Sequence, residues 1–535
     1  AFALIQLSTS IHHFDNEGFC IQSTEARILD LSSDKANVTA YNTPLHNWTA
    51  CSVIGADFNH DGIEDFTTAP SCGLILTEPV VQVVYGSNQL EDKIQLDGAE
   101  PANITIDIKL EDEVFSLGHT DIDKNGIADL LIGTSTRSLI FYGKEINIPT
   151  ILLTEDDADI IIYELQLSRH RGIIVSGGDV NGDNFGDIIL GVPNVNFSNR
   201  LYAGVVHVVY GNNFPHGTII DIAIEKADIT IYGEKENDKL GNDVAIGDIN
   251  QDGFVDIIIG ARKAAGGKGK AYIIYGRRNF PPKHVIDLAT EEADITIIGE
   301  SMDDEFGNSV FGADVNGDGI DDIIIGAMRA DASGREKSGK VYVIYGREDF
   351  TPKEIIDLSS RAADLTILGQ DANFRLGSTV SSGDINADTI GDLLVGSSTP
   401  TQAISYVLYG RRDFESNTVI DLATIQANIT VYYDDYWLPT VDFDNIVLAQ
   451  ISEPMALAAG DVNGDFVDDL LIGNPFSKPY VLGAGFGTAY VIYGEGCPCN
   501  GLLEIKPGQN QGELKHGCSP GTWKIGEKEI GWNQG

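Results

Sequence analysis

Apolar positions along this chain fall in short blocks separated by glycine and aspartate. Runs such as Ile188-Ile189-Leu190 and Ile257-Ile258-Ile259 are β-branched, only a few residues long and bounded by Gly or Asp. That pattern predicts strands, because a helix needs a longer stretch with a 3.6-residue period. A second apolar run follows each of these and ends in Tyr-Gly, at Tyr85-Gly86, Tyr142-Gly143, Tyr210-Gly211, Tyr275-Gly276, Tyr345-Gly346, Tyr409-Gly410 and Tyr493-Gly494. Segments such as Val285 to Ile298 (VIDLATEEADITII) supply a further strand pair, which makes about four strands per unit.

The units form a repeat. Asp-rich loops begin at Asp57, Asp121, Asp179, Asp248, Asp314, Asp384 and Asp461, with successive spacings of 64, 58, 69, 66, 70 and 77 residues. Seven four-stranded units repeated radially predict an all-β fold, a seven-bladed β-propeller whose sheet edges stay short and protected. Such a repeat also accounts for 535 residues without several separate cores. The last copy stops soon after Tyr493-Gly494, while Ile28 to Tyr41 stands alone ahead of the first loop. The N-terminal segment is therefore expected to complete the seventh blade and close the ring. This divides the chain into an arm at 1–24, the propeller at 25–496 and a Cys- and Gly-rich tail at 497–535.

Composition narrows the partners. The 35 basic and 80 acidic residues leave a formal charge of −45, which opposes nucleic acid and anionic membranes and favours cations. No run reaches the ~20 apolar residues of a spanning helix, so no membrane insertion is expected. The start at Ala1 suggests a cleaved leader and an extracellular, secreted protein. The cysteines stand only near the two ends, as Cys20, Cys51, Cys72, Cys497, Cys499 and Cys518, and are disulfide candidates. A local bridge between Cys51 and Cys72 and a tie from Cys20 to the C-terminal group are the expected pairings. Sequons at Asn37, Asn47, Asn103, Asn196 and Asn428 are glycosylation candidates.

Each Asp-rich loop reads D-x-[DN]-x-[DN]-x-x-x-D. Side chains at positions 1, 3, 5 and 9, with a backbone carbonyl at position 7, make an all-oxygen shell suited to Ca²⁺. An EF-hand would carry Glu at position 12 between helices. Here position 12 is Thr68, Ile132, Leu190, Ile259, Ile325, Val395 and Ile472, and the flanking segments are strands.

The unit resembles the FG-GAP repeat of integrin alpha subunits, with Phe306-Gly307 and Gly326-Ala327 at the positions that name it. The resemblance covers nearly residues 25 to 495 and implies a seven-bladed propeller whose hairpin loops bind calcium. The implied ligands are Asp57, Asn59, Asp61 and Asp65 in the first loop, then Asp121, Asp123, Asn125 and Asp129 in the second. The third has Asp179, Asn181, Asp183 and Asp187, and the fourth Asp248, Asn250, Asp252 and Asp256. The fifth has Asp314, Asn316, Asp318 and Asp322, the sixth Asp384, Asn386, Asp388 and Asp392, and the seventh Asp461, Asn463, Asp465 and Asp469. Position 6 departs from the family's glycine at Asn184, Thr389 and Phe466, which makes the sixth and seventh loops the weakest expected sites. Calcium in all seven would take the charge from −45 to −31.

These features favour a calcium-stabilised extracellular propeller, serving as an assembly subunit of a coat or fibre through protein contacts, and not an enzyme. The terminal arms, including apolar Ala1 to Leu7 and the stretch with Trp523 and Trp532, would make the contacts. The alternative is an adhesion module that binds a protein or glycan. Its candidate surfaces are the basic loops Arg262 to Lys270 and Arg329 to Lys340, and the aromatic group Tyr432, Tyr433, Tyr436 and Trp437. A hydrolase is disfavoured because no H-E-x-x-H or G-x-S-x-G occurs and no segment is left for a catalytic domain.

Overall fold

The structure is a computed structural model that describes residues 52–69, 79–88, 112–144, 151–164, 172–225, 227–398, 403–433, 456–477 and 486–494. It also gives the strand backbones at 13–14, 20–21, 27–30, 38–41, 93–95, 105–110, 522–525 and 528–531. The β content follows from the sequence: β-branched runs cut by Gly and Asp every few residues cannot propagate a helix.

Seven sheets form the blades of a propeller, and each has five strands rather than the four expected. The fifth blade shows the plan. Phe306–Ala313, Asp322–Ala327, Lys340–Ile344 and Leu365–Leu368 pair antiparallel in that order, and Thr418–Asp421 adds in parallel on the outside. That outer strand belongs to the next repeat. A segment such as VIDLATEEADITII is therefore not a hairpin within one blade. Its first half, His284–Asp287, lies on the preceding sheet and its second half, Ile295–Ile298, on its own. The open edge of each fourth strand offers unpaired backbone groups, and the chain passing to the next blade satisfies them.

The innermost strands touch their neighbours all the way around, and Ala456–Gly460 of the last blade meets Ser52–Ala56 of the first. In the seventh sheet, Phe486–Ile492 pairs antiparallel with Val38–Tyr41. Arg27–Asp30 lies one blade away, parallel to Ile429–Tyr433 as the outer strand of the sixth sheet.

The core lies between the sheets. Ile258, Ile273 and Ile297 of the fourth blade pack against Ile323, Ile325 and Phe306 of the fifth, all at 1% exposure or less. Second strands are buried at every position whose burial is described, as in Asp256–Ala261 and Asp322–Ala327. They touch a sheet on both faces, which explains the unbroken apolar runs. Outer strands alternate instead: in Glu354–Asp357, Ile355 is 58% exposed and Ile356 only 1%.

That alternation gives a paired expectation. Ile356→Ala lowers stability by about 2–5 kcal/mol, whereas Ile355→Ala stays within about 0.5 kcal/mol. Urea unfolding midpoints of the two variants check it.

Candidate metal centre

Each Asp-rich loop joins the first and second strands of its blade, so all seven lie on one face. The loops share one backbone conformation. Position 4 is left-handed in every case, with φ between 56° and 74°, whether the residue is His60, Lys124, Gln251, Ala387 or a glycine. Position 6 is left-handed too, at Gly62, Gly126, Gly253 and Gly319 and equally at Asn184 (64°), Thr389 (69°) and Phe466 (67°). The missing glycines therefore do not change the turn. They load it with strain, since a side chain there costs roughly 1–2 kcal/mol.

Side-chain caps hold this shape. In the fifth loop Asp314 accepts the N–H groups of Gly317, Asp318 and Gly319 at 2.7, 3.2 and 2.7 Å. Asp318 accepts from Ile320 at 3.0 Å. The apolar residue at position 2 anchors the loop, and Ile122, Val180, Ile249, Val315 and Val462 are all fully buried.

The ninth-position carboxylates Asp65, Asp129, Asp187, Asp256, Asp322, Asp392 and Asp469 have no exposed surface. Each bridges two backbone N–H groups. Asp322 Oδ2 accepts from Val315 at 3.1 Å, and its Oδ1 accepts from Gly346 at 2.9 Å. The same pair recurs in every loop, from Phe58 and Gly86 on Asp65 to Val462 and Gly494 on Asp469. The second donor is always the glycine of Tyr-Gly. A Cβ on Gly346 would lie 2.2 Å from the Asp321 carbonyl oxygen, so no larger residue can make this approach. The sequence marks this glycine only as a strand end.

Burial without a cation is costly for these groups. It pushes the carboxyls of Asp65, Asp187, Asp256, Asp322 and Asp469 up to about 8, Asp129 to about 7 and Asp392 to about 9. Nearby loop carboxylates add to the rise. Amides already sit close to this charge: Asn59 Nδ2 lies 3.1 Å from Asp61 Oδ2 and 3.5 Å from Asp65 Oδ1. Asn316 Nδ2 is 3.1 Å from Asp322 Oδ1, and Asn463 Nδ2 is 3.0 Å from Asp469 Oδ1.

The donor set fits a calcium ion. Carboxylate oxygens of Asp121, Asp123 and Asp129 lie within 4.8 Å of one another, about twice a Ca–O bond of roughly 2.4 Å. Among the described residues the second loop alone brings three carboxylates this close; it has Asp at position 3, whereas the other loops have Asn there and carry Asp at positions 1, 5 and 9.

Position 8 went unread in the sequence. Its carboxylates reach the preceding loop: Asp321 Oδ2 accepts the Asp248 N–H at 2.9 Å, and Asp468 Oδ2 accepts the Asp384 N–H at 2.8 Å. Glu64 occupies this position in the first blade. Burial, with Asp468, Asp461 and Asp57 nearby, pushes its carboxyl up to about 7.

Other candidates fare differently. In the basic loops, Arg262, Lys263 and Arg329 converge on buried Glu305, so part of that charge is spent inside the fold. Asn196 is exposed in the loop after Asp187–Val192, with its Oδ1 accepting the Tyr202 N–H. Asn428 accepts the Tyr409 N–H, a place held by Asp228, Asp294 and Asp364 in the third to fifth blades. Asn37, Asn47 and Asn103, the side chain of Cys20, the other five cysteines, Tyr436 and Trp437 lie outside the described residues.

The FG-GAP repeat profile matches residues 171–209, 240–274, 306–344 and 454–492. This chain carries FG-GAP repeats in a seven-bladed β-propeller. Within it, the profile falls on the first to third strands of the third, fourth, fifth and seventh blades, with the Asp-rich loop inside each match. The FG-GAP propeller is homologous to integrin alpha chains. It is 29% identical over 233 residues to integrin alpha pat-2 of Caenorhabditis elegans, covering 40% of this chain and 18% of that protein. It is also 28% identical over 253 residues to phosphatidylinositol-glycan-specific phospholipase D of Bos taurus, covering 46% of this chain and 29% of the relative. The phospholipase D of Dictyostelium discoideum is 28% identical over 213 residues, covering 36% and 22%. The FG-GAP propeller thus spans under a third of the length of these relatives. The phospholipases are enzymes by name, and they overturn the expectation that set this chain apart from enzymes.

Two expectations follow. Gly253 has open space beside it, so Gly253→Thr costs about 1–2 kcal/mol by backbone strain alone; chemical unfolding measures it. Because folding raises the ninth-position pKa values above their unfolded ~3.9, the metal-free fold binds more protons than the unfolded chain between pH 4 and 8. Its melting temperature therefore falls as pH rises through that window, and scanning fluorimetry in chelator reads the trend.

Proposed function

We propose that this chain is a calcium-stabilised extracellular propeller that works through protein contacts, as an assembly subunit of a cell-surface coat or fibre. The observation that carries the calcium reading is the ninth-position aspartate. Seven fully buried carboxylates, each held by two N–H groups, and in the second loop joined by those of Asp121 and Asp123 within 4.8 Å, form a set that a hard divalent cation stabilises. All seven loops share the conformation, which supports counting the sixth and seventh, the weakest by sequence, among the sites. Millimolar calcium outside cells matches the ~0.1–1 mM affinity of many extracellular modules. Integrin alpha chains among the relatives support a surface location and protein partners. Glycans at Asn196 and terminal disulfides belong to the same reading, and no nucleic acid or inserted membrane segment does. Among the described residues no helix is long and apolar enough to cross a membrane.

Adhesion to a protein or glycan through a propeller face is the alternative within this class. A second reading rests on the phospholipase relatives. In it, the propeller accompanies a site that cleaves a phosphodiester in a glycosylated inositol lipid.

One preparation separates these. Isothermal titration with Ca²⁺, together with sedimentation in calcium and in EGTA, is expected to show several sites and calcium-dependent assemblies. At free calcium ~100 times the dissociation constant each independent site adds about 2.7 kcal/mol, so melting shifts upward markedly. A calcium-insensitive monomer overturns the assembly reading, and release of a glycosylated-inositol-lipid-anchored reporter from vesicles would establish the phospholipase one.

A further inference from the structure

The seven loops are bonded to one another, and the bonds run through the groups that would hold the cation. In the fourth blade Asp256 Oδ1 accepts the Gly276 N–H at 2.9 Å, and the next residue, Arg277, donates its N–H to the Val180 carbonyl of the third loop at 2.9 Å. Val180 in turn donates its N–H to Asp187 Oδ2 at 3.0 Å. The path thus goes from one buried carboxylate, across a blade boundary, to the next.

The step recurs. Asp322 holds Gly346, Arg347 donates to Ile249 at 3.0 Å, and Ile249 donates to Asp256 at 3.0 Å. Asp392 holds Gly410, Arg411 donates to Val315 at 3.1 Å, and Val315 donates to Asp322. Lys144 to Phe58 at 3.2 Å links the second loop to the first, and Ser87 to Val462 at 3.0 Å links the first to the seventh. A second set runs alongside it, in which the position-8 N–H bonds the position-1 carbonyl of the preceding loop. Examples are Glu64 to Asp461 (3.0 Å), Gly186 to Asp121 (2.6 Å), Asp321 to Asp248 (3.2 Å) and Gly391 to Asp314 (2.8 Å).

We propose that the loops bind cations as a coupled ring, in which filling one site orders the ligand backbone of its neighbours. This rests on the calcium reading above. A cation drawn to Asp256 fixes the carboxylate that positions Gly276 and Arg277, and so fixes the carbonyl side of the third loop. The same cation fixes Ile249 and Asp248, which receive the bonds from the fifth. Coupling of this kind is reciprocal between sites. The blade boundaries carry the bonds, so calcium tightens the ring as a whole.

Hydrogen exchange on the full chain tests it, with Ca²⁺ as the probe. In the wild type, calcium protects the amides of Gly276, Arg277, Gly346 and Arg347. The double variant Asp248→Asn, Asp252→Asn removes two charged ligands from the fourth loop and leaves Asp256 in place. It is expected to lose calcium protection there and also to lose at least ~5-fold at Arg277 and Arg347, with loops one and seven unchanged. Asp321→Ala is the second variant. It removes the side-chain acceptor of the Asp248 N–H and no cation ligand, and it is expected to weaken calcium protection of the fourth loop while the fifth still binds. Loss confined to the fourth loop in the first variant, with no effect of the second, overturns the coupling and leaves calcium binding standing. No calcium-dependent protection in the wild type overturns both.

Discussion

The structure depends on a carboxylate buried where a carboxylate is least stable. The aspartate at the end of each loop is sealed from water, and its oxygens are taken up by two backbone N–H groups from different parts of the blade. One belongs to the loop and the other to the glycine that ends the third strand. That single side chain fixes the turn between the first two strands, the end of the third and the approach to the preceding blade. The two bonds land on different oxygens, so an Asn here would turn its NH2 toward one of the two donors. The cost of burying the charged form makes the fold receptive to a cation.

Much of this was legible in the sequence because it repeats. Tyr-Gly at the end of every second apolar run, and the constant spacing of Asp within each loop, set the number of blades and the ligand positions. The fifth strand of each sheet was not legible. Nothing in VIDLATEEADITII tells whether its two halves pair with each other or lie on adjacent sheets, because that depends on an edge left open by a different repeat. The bonds between loops were hidden for the same reason. Asp321 and Asp468 look like spare acids beside the ligand Asp322 and Asp469, and their partners lie 73 and 84 residues away. Thr389 and Phe466 at position 6 made the sixth and seventh loops the weakest expected sites; the caps from Asp384 and Asp461 hold both in the same left-handed turn as the glycine loops.

The relatives place one scaffold beside two kinds of protein, integrin alpha chains and a phosphatidylinositol-glycan-specific phospholipase D. Fold alone does not decide between them. What the propeller contributes in either case is a rigid ring whose closure is distributed over many blade boundaries.

The most direct test is a crystal structure of the calcium-loaded chain with anomalous data sensitive to calcium. The account predicts peaks in the loops about 2.3–2.6 Å from the carboxylates of Asp256 and Asp322, with the Gly276 and Gly346 N–H bonds intact. Empty loops, or ions held only by the exposed positions away from Asp256 and Asp322, would contradict it.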